Sequence, residues 1–142
     1  MLSKYRLTRR VQFYETDMAG VVHFSWYFRY MEEAEHAFWR AAGLSVAPAD
    51  AEVGWPRVAA SCEYRRPLRF EDEFDVVLRV AAITDRTIRF DCLLTRGVDE
   101  IATGSMTVAC VSHRPGEPMR ARTIPADISA RFEVAPGVPS VS

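Results

Sequence analysis

One segment of this chain has the periodicity of a long helix, and that segment limits the folds open to the rest. From about residue 25 to residue 42, apolar residues recur at steps of three and four, which places them on one side of a helix. Ser25 is a candidate N-cap whose hydroxyl could accept a backbone N–H, and Gly43 is a candidate for the positive-φ position after the last turn. The apolar stripe comprises Tyr27, Met31, Ala34, Phe38 and Ala41 or Ala42.

The segments around this helix alternate between apolar and polar residues, which predicts strands. The predicted strands cover residues 4–14, 57–65, 73–84, 87–95 and 101–111, and residues 124–132 predict a short helix. The connectors at 84–86 and 97–100 are short and polar, so the strands that they join should form antiparallel hairpins. The expected fold class is therefore α+β, with one long helix covering one face of an antiparallel sheet of about five strands.

Length and composition favour an ordinary globular protein. The 142 residues fit one domain, expected over residues 1–135, with a flexible tail at 136–142. The formal net charge of −1 argues against a nucleic-acid partner recognised by bulk charge. The three cysteines form no CxxC pair, the first residues are charged, and no apolar run approaches the ~20 residues of a membrane span. These features predict a cytoplasmic protein with no membrane association and no metal site.

The loop ahead of the helix holds the densest cluster of polar and aromatic residues. Asp17 lies a few residues before the expected helix N-terminus, where unpaired N–H groups and a partial positive charge could stabilise an oxyanion. A carboxylate facing those donors could attack a carbonyl or activate water, and Gly20 would let the loop turn tightly. From the spacing alone, the favoured interpretation of Asp17 is a turn residue that binds local N–H groups. Glu33, four residues after Arg29, predicts a surface ion pair.

The segment from Tyr14 to Glu32 resembles the signature of the 4-hydroxybenzoyl-CoA thioesterase family, within the hotdog superfamily. The residues that carry the resemblance are an aromatic strand end, Thr16-Asp17, Gly20, two aliphatic residues and the start of the helix. Residues 64–72 and 120–128 are similar to later parts of the family pattern, so the resemblance extends over residues 9–132. It implies the hotdog fold, in which a curved antiparallel sheet wraps around one long helix.

The resemblance also implies a site. Asp17 matches the family's catalytic carboxylate, acting as nucleophile or general base on an acyl-CoA thioester, and the Phe24 N–H lies where the thioester carbonyl is polarised. Trp26 stands where the family commonly has Asn, and His23 matches a non-catalytic pocket position. The expected substrate pocket comprises Tyr14, His23, Trp26 and Tyr27. Because coenzyme A carries phosphates, arginines are expected at the pocket mouth; the candidates are Arg65, Arg66, Arg86, Arg89 and Arg114.

The family's assembly and the alternatives to hydrolysis complete the expectations. The resemblance implies a homodimer or homotetramer with sites at the subunit interface, and no cofactor. Two other functions stay open: a non-catalytic acyl-CoA-binding or scaffold protein, and a hydratase or dehydratase acting on acyl thioesters. The fold alone does not separate them.

Overall fold

The computed structural model describes residues 1–137, in which one long helix packs on a five-stranded sheet. The elements in chain order are β1 (Lys4–Arg10), the 3₁₀ helix η1 (Phe13–Glu15), α1 (Trp26–Ala41), β2 (Val53–Gly54), β3 (Arg57–Tyr64), β4 (Glu73–Ile83), β5 (Thr87–Arg96), β6 (Asp99–Ala109), β7 (Val111–Ser112) and α2 (Ala126–Ser129). A flexible tail was predicted at 136–142, and residues 138–142 of it lie outside the described residues. The single domain expected over residues 1–135 stays a prediction.

The sheet is antiparallel throughout, with the strand order β1-β4-β5-β6-β3. The two predicted hairpins, β4–β5 and β5–β6, form its centre, and strands β1 and β3 are its edges. Strands β2 and β7 make a separate two-stranded pair. One long helix held by a five-stranded antiparallel sheet confirms the α+β class and the hotdog fold.

Helix α1 buries the predicted side but begins differently from the prediction. Tyr27, Met31, Ala34 and Phe38 are all buried, whereas Ala41 is exposed. The Ser25 side chain does not cap the helix, because its hydroxyl is bonded to the ring of His23 instead (2.8 Å). At the other end the prediction is confirmed: Gly43 has φ of 79°. The N–H groups of Gly43 and Leu44 donate to Arg40 O and Trp39 O, closing the last turn as a Schellman motif.

The first strand is shorter than predicted. Strand β1 ends at Arg10, and residues 13–15 form η1, so Tyr14 lies on a helical turn and not on a strand. The change is caused by Glu15, whose carboxylate is fully buried and accepts the Gln12 N–H at 2.8 Å. Residues three apart lie about 10 Å from each other in an extended strand, so this bond requires the backbone to turn. The Asp17 loop therefore starts from a buried anchor.

The core lies between α1 and the sheet, and it thins toward strand β3. Fully buried side chains from β4, β5 and β6 include Phe74, Leu78, Phe90 and Met106. On β3, by contrast, Val58 and Tyr64 are exposed and Cys62 is only half-buried. Strand β3 therefore presents an open edge with apolar side chains. Among residues 1–137, no helix has the length and apolar character needed to cross a membrane.

Candidate active site

The Asp17 loop is a closed turn. Thr16 and Val22 form an antiparallel bridge, and the Asp17 N–H donates to Val21 O at 2.8 Å. Gly20 has φ of 80°, a conformation that glycine adopts without strain, so its predicted role in the turn is confirmed. The Asp17 side chain is exposed; its Oδ1 accepts the Ala19 N–H at 2.8 Å, while no hydrogen bond among residues 1–137 uses Oδ2. The carboxylate thus keeps one oxygen available.

The chain between this loop and helix α1 is held by distant groups. The His23 N–H donates to Glu15 O at 2.9 Å, and the Val22 N–H donates to Leu68 O at 2.8 Å. The Tyr64 hydroxyl, on strand β3, donates to Phe24 O at 2.9 Å. No hydrogen bond within the described part of the chain uses the Phe24 N–H. The Phe24 N–H, which the resemblance implies as the carbonyl donor, is therefore unoccupied. The Phe24 carbonyl is held by Tyr64 on the sheet.

A depression of about 280 Å³ opens beside Phe24. It brings together the start of α1, the end of β3 and the segment that follows β3. Its lining residues are Val21, Val22, Phe24, Tyr27, Tyr64, Arg65, Arg66 and Pro67. The Tyr27 and Tyr64 rings meet edge to face with centroids 4.9 Å apart, which gives the depression an aromatic wall. Burial and the neighbouring Cys62 raise the pKa of Tyr64 to about 12, so its hydroxyl stays a donor at neutral pH.

Of the four predicted pocket residues, only Tyr27 lines this depression. Tyr14 is exposed, and its ring packs edge to face on Trp26 at 5.5 Å. Trp26 lies between Tyr14 and Tyr30, and its centroid is 6.3 Å from that of Tyr30. The His23 ring is bonded to Ser25 and stacks near Phe24, and it makes no hydrogen bond to Asp17. Tyr14, His23 and Trp26 therefore surround the loop rather than the depression.

The five predicted arginines lie in different parts of the fold, and two of them line the depression. Arg65 and Arg66 lie on the rim of the depression, half-exposed, with loose ion pairs to acidic neighbours at 3.5–3.7 Å. Arg86 lies in the β4–β5 turn, where its carbonyl accepts the Cys110 N–H, and Arg114 follows β7. Arg89, on β5, pairs with Asp91 at 3.4 Å on the sheet face away from α1. Because β5 alone is about 30 Å long, the five arginine side chains of one chain cannot all reach the same site.

A buried polar network beneath the loop was missed by the sequence analysis. The Glu15 carboxylate accepts hydrogen bonds from Arg9 (2.7 Å) and from the Tyr30 hydroxyl (2.9 Å). Burial alone would raise the pKa of Glu15, but the Arg9, Gln12 and Tyr30 donors outweigh it and lower that pKa. Burial and the Glu15 carboxylate raise the pKa of Tyr30. Nothing in the local sequence Glu15-Thr16-Asp17 indicates that the Glu15 side chain is buried.

Arg9 also corrects the predicted surface pair on the helix. Its Nε donates to Glu33 Oε2 at 2.7 Å, so Glu33 pairs with strand β1 and not with Arg29. Arg29 instead lies 3.5 Å from Glu32. The Arg9 guanidinium also sits over the Tyr30 ring, 4.6 Å from its centroid. Long-range packing of β1 against α1 therefore overrides the local i,i+4 pairing.

Comparison with known proteins identifies the family of this chain. The family model described as the thioesterase-like superfamily matches residues 11–132. The chain belongs to this superfamily. A solved structure of a hypothetical protein from Aquifex aeolicus superposes with a TM-score of 0.84 at 31% identity, covering 91% of this chain and 99% of that one.

Two relatives of this superfamily member carry named activities. A 1,4-dihydroxy-2-naphthoyl-CoA hydrolase of Synechococcus elongatus is 27% identical over 113 residues, 78% of this chain and 83% of that protein. A gentisyl-coenzyme A thioesterase superposes with a TM-score of 0.80 at 25% identity, covering 90% of this chain and 99% of the other. The superfamily is thus shown, while the narrower 4-hydroxybenzoyl-CoA thioesterase family stays a prediction.

No group of three or more His, Cys, Asp or Glu side chains among residues 1–137 is placed to hold a metal ion. What the arrangement does offer is a carboxylate oxygen and a backbone donor, both unoccupied, on one short segment. The segment runs from Asp17 to Phe24, beside an aromatic depression with two arginines on its rim. A backbone N–H of this kind can bind a carbonyl oxygen, and an exposed carboxylate can act as a nucleophile or a general base.

Proposed function

We propose that this protein hydrolyses an acyl-CoA thioester to the free acid and coenzyme A, with Asp17 as the essential carboxylate. The observation that carries the proposal is the pairing of two unoccupied groups, Asp17 Oδ2 and the Phe24 N–H, on one anchored loop. Membership of the thioesterase-like superfamily and similarity to two acyl-CoA hydrolases support the same reaction.

The Phe24 N–H, two residues before the first residue of α1, would bind the thioester carbonyl oxygen and stabilise the negative charge that develops there. Asp17 would then act by one of two routes. It can attack the carbonyl carbon, expelling the coenzyme A thiolate and forming an acyl–aspartyl anhydride that water hydrolyses. Alternatively, it can take a proton from a water molecule that attacks the same carbon. Both routes end with the free acid, coenzyme A and a regenerated carboxylate.

Arg65 and Arg66 are proposed to bind the phosphates of coenzyme A. Both guanidinium groups are about half-exposed, and their ion pairs of 3.5–3.7 Å are longer than a tight charge-assisted hydrogen bond. Such exposed pairs contribute roughly 0–1 kcal/mol, so a phosphate could displace them at little cost. The thioester end of the substrate would then enter the aromatic depression between Phe24 and Tyr64.

Strand β3 supports a homodimer, or a tetramer built from such dimers, with sites at the interface. Its outer edge pairs with no other strand among residues 1–137, and Val58, Ala59 and Ala60 are exposed along it. Pairing with β3 of a second copy in antiparallel register would satisfy that edge. It would also bring the other copy's β4–β5 turn, with Arg86, toward this copy's depression. The three free cysteines suit the cytoplasm, which is the proposed location.

Thiol release from a panel of short, long and aromatic acyl-CoAs tests the function. Wild type is compared with Asp17→Asn, and with Asp127→Asn as a matched control at an exposed position in α2. We expect turnover of at least one acyl-CoA, a loss of about 10³-fold or more in Asp17→Asn, and no change in the control. Near-normal turnover by Asp17→Asn would contradict the proposal.

One observation favours a second function. Asp17 Oδ1 already accepts the Ala19 N–H, which is the geometry of an ordinary Asx turn. If Asp17 only closes the turn, the protein would be a non-catalytic acyl-CoA-binding protein. Acyl-CoA binding by wild type without thiol release from any substrate in the panel would identify that function.

A further inference from the structure

Two glutamates are fully buried among residues 1–137, and they lie in different parts of the fold. Glu35, in the middle of α1, has 1% of its surface exposed and binds Arg57 (2.6 Å) and the Trp39 indole (3.2 Å). Glu15 has no exposed surface and lies two residues before Asp17. A buried carboxylate needs several donors to offset its desolvation, so each of these side chains fixes the groups around it.

The Glu15 side chain joins three parts of the molecule. Its Oε1 accepts from Arg9 on β1, from the Gln12 N–H before η1, and from the Tyr30 hydroxyl on α1, all at 2.7–2.9 Å. Its Oε2 faces the second terminal nitrogen of Arg9. Two of these donors are themselves held by other contacts, because Arg9 is also bound to Glu33 and Tyr30 packs on Phe74. The carboxylate is therefore held in one position.

The Glu15 backbone carries the candidate site. Its carbonyl accepts the His23 N–H, and the next residue, Thr16, bridges to Val22. Asp17 is thus two residues after Glu15 in the sequence. The segment that leads to Phe24 is hydrogen-bonded to the Glu15 carbonyl. The Glu15 backbone therefore links the part of the loop that holds Asp17 to the part that leads to Phe24.

We infer that Glu15 is a positioning residue, whose buried carboxylate fixes Asp17 and the Phe24 N–H at the separation that the reaction needs. The inference rests on the proposed function, in which those two groups act on one carbonyl. A buried ion pair gives little net stability compared with apolar packing, so the main consequence of this network is geometric. A misplacement of about 1 Å in such a site lowers the rate by roughly 100-fold.

Three variants test this inference. Glu15→Gln keeps the side-chain shape but turns an amide N–H₂ toward Arg9, and Tyr30→Phe removes only the hydroxyl that joins α1 to Glu15. Glu35→Gln is the matched control, since it neutralises the other buried glutamate at a distance from the loop. The measurements are kcat and KM per folded molecule, the melting temperature, and hydrogen exchange of the His23 amide.

We expect Glu15→Gln and Tyr30→Phe to lower kcat by about 10- to 100-fold with KM changed by less than about threefold. In both variants the His23 amide should exchange faster. Glu35→Gln should lower the melting temperature while leaving kcat per folded molecule and His23 exchange near the wild-type values. A purely structural role for Glu15 would lower stability without this separation of kcat from KM.

Two results would overturn the inference: wild-type kcat in the Glu15→Gln variant, or an equal loss of kcat in Glu35→Gln. If Glu15→Gln does not fold, Tyr30→Phe decides by the same criteria. Failure of the proposed function is distinguishable, because it shows as unchanged thiol release in Asp17→Asn or as none in wild type. In that case His23 exchange alone decides whether Glu15 positions the loop.

Discussion

The two ends of helix α1 are held in different ways. At the C-terminal end, Gly43 closes the last turn, and Trp39 packs on Trp55 and Phe132 with ring centroids about 5 Å apart. At the N-terminal end no side chain caps the helix. The chain there is fixed by hydrogen bonds from Tyr64 on β3 and from the buried Glu15 network.

The difference shows where stability and the candidate chemistry are located. Apolar packing at the C-terminal end buries large side chains and contributes mainly to the free energy of unfolding. The N-terminal end leaves Phe24 62% exposed and Asp17 in solvent, where the proposed substrate could reach both. Its polar contacts supply position more than stability. The comparison can therefore be tested with variants that separate stability from turnover.

The largest loss in the free energy of unfolding is expected at the C-terminal end of α1. Trp39→Ala removes a side chain with 1% exposure, and we expect it to lower the free energy of unfolding by about 4–5 kcal/mol, since the packed surroundings cannot fill the cavity. The kcat of the folded fraction should stay unchanged. Urea unfolding together with thiol release measures both. Trp26→Ala is the matching variant at the N-terminal end of α1. A larger loss of kcat in Trp39→Ala than in Trp26→Ala would contradict the proposed difference between the two ends.

The next effect concerns the buried charge at the N-terminal end. Arg9→Met leaves Glu15 buried without its cation, and we expect a loss of about 3 kcal/mol near pH 7. Arg6→Met is the matched control on the same strand, because the Arg6 side chain is 64% exposed and its pair with Asp75 contributes roughly 0–1 kcal/mol. Equal losses in the two variants would show that the buried Glu15 carboxylate does not depend on Arg9 as its cation.

Acid pH should narrow the difference between Arg9→Met and wild type. The fold lowers the pKa of Glu15 below its ordinary value of 4.5, so its contribution is present above that pH and is lost as the pH falls toward the folded pKa. In Arg9→Met, burial without a cation favours the protonated form, so acid relieves the penalty. Unfolding measured from pH 7 to about pH 4 checks this. A constant gap over that range would contradict it.

The smallest effect on stability should come from Tyr64→Phe. It removes one hydrogen bond, to Phe24 O, and we expect a loss of about 1 kcal/mol or less. Because Phe24 is the proposed carbonyl-binding residue, kcat should fall several-fold even so. Tyr5→Phe is the control, since its hydroxyl makes no hydrogen bond among residues 1–137. A loss of stability without any change in kcat would mean that Tyr64 does not orient Phe24.

Local patterns predicted the parts of the fold that local forces determine. The apolar stripe of α1, the Gly43 position and the β4–β5 and β5–β6 hairpins follow from spacing and turn residues. The β1–β4 and β3–β6 pairings join segments more than 35 residues apart, and short connectors say nothing about them. The N-cap prediction for Ser25 was wrong because a neighbouring ring, His23, competed for the hydroxyl.

The site was predictable in part. The loop, its glycine and the exposed Asp17 lie where the motif implied, and Tyr27, Arg65 and Arg66 do meet at one depression. Glu15 and Tyr64 were not predicted as site residues, because their roles depend on partners 15 and 40 residues away. A glutamate next to a loop is ordinarily expected in solvent, so only the folded chain shows it buried.

In the proposed mechanism, Asp17 acts chemically on a bound thioester and is not needed to hold the substrate. The most direct test measures acyl-CoA binding and single-turnover thiol release on the same Asp17→Asn preparation. We expect a Kd within about threefold of wild type and a release rate lower by about 10³-fold or more. A release rate near wild type, or a loss of binding that accounts for the whole loss of rate, would contradict it.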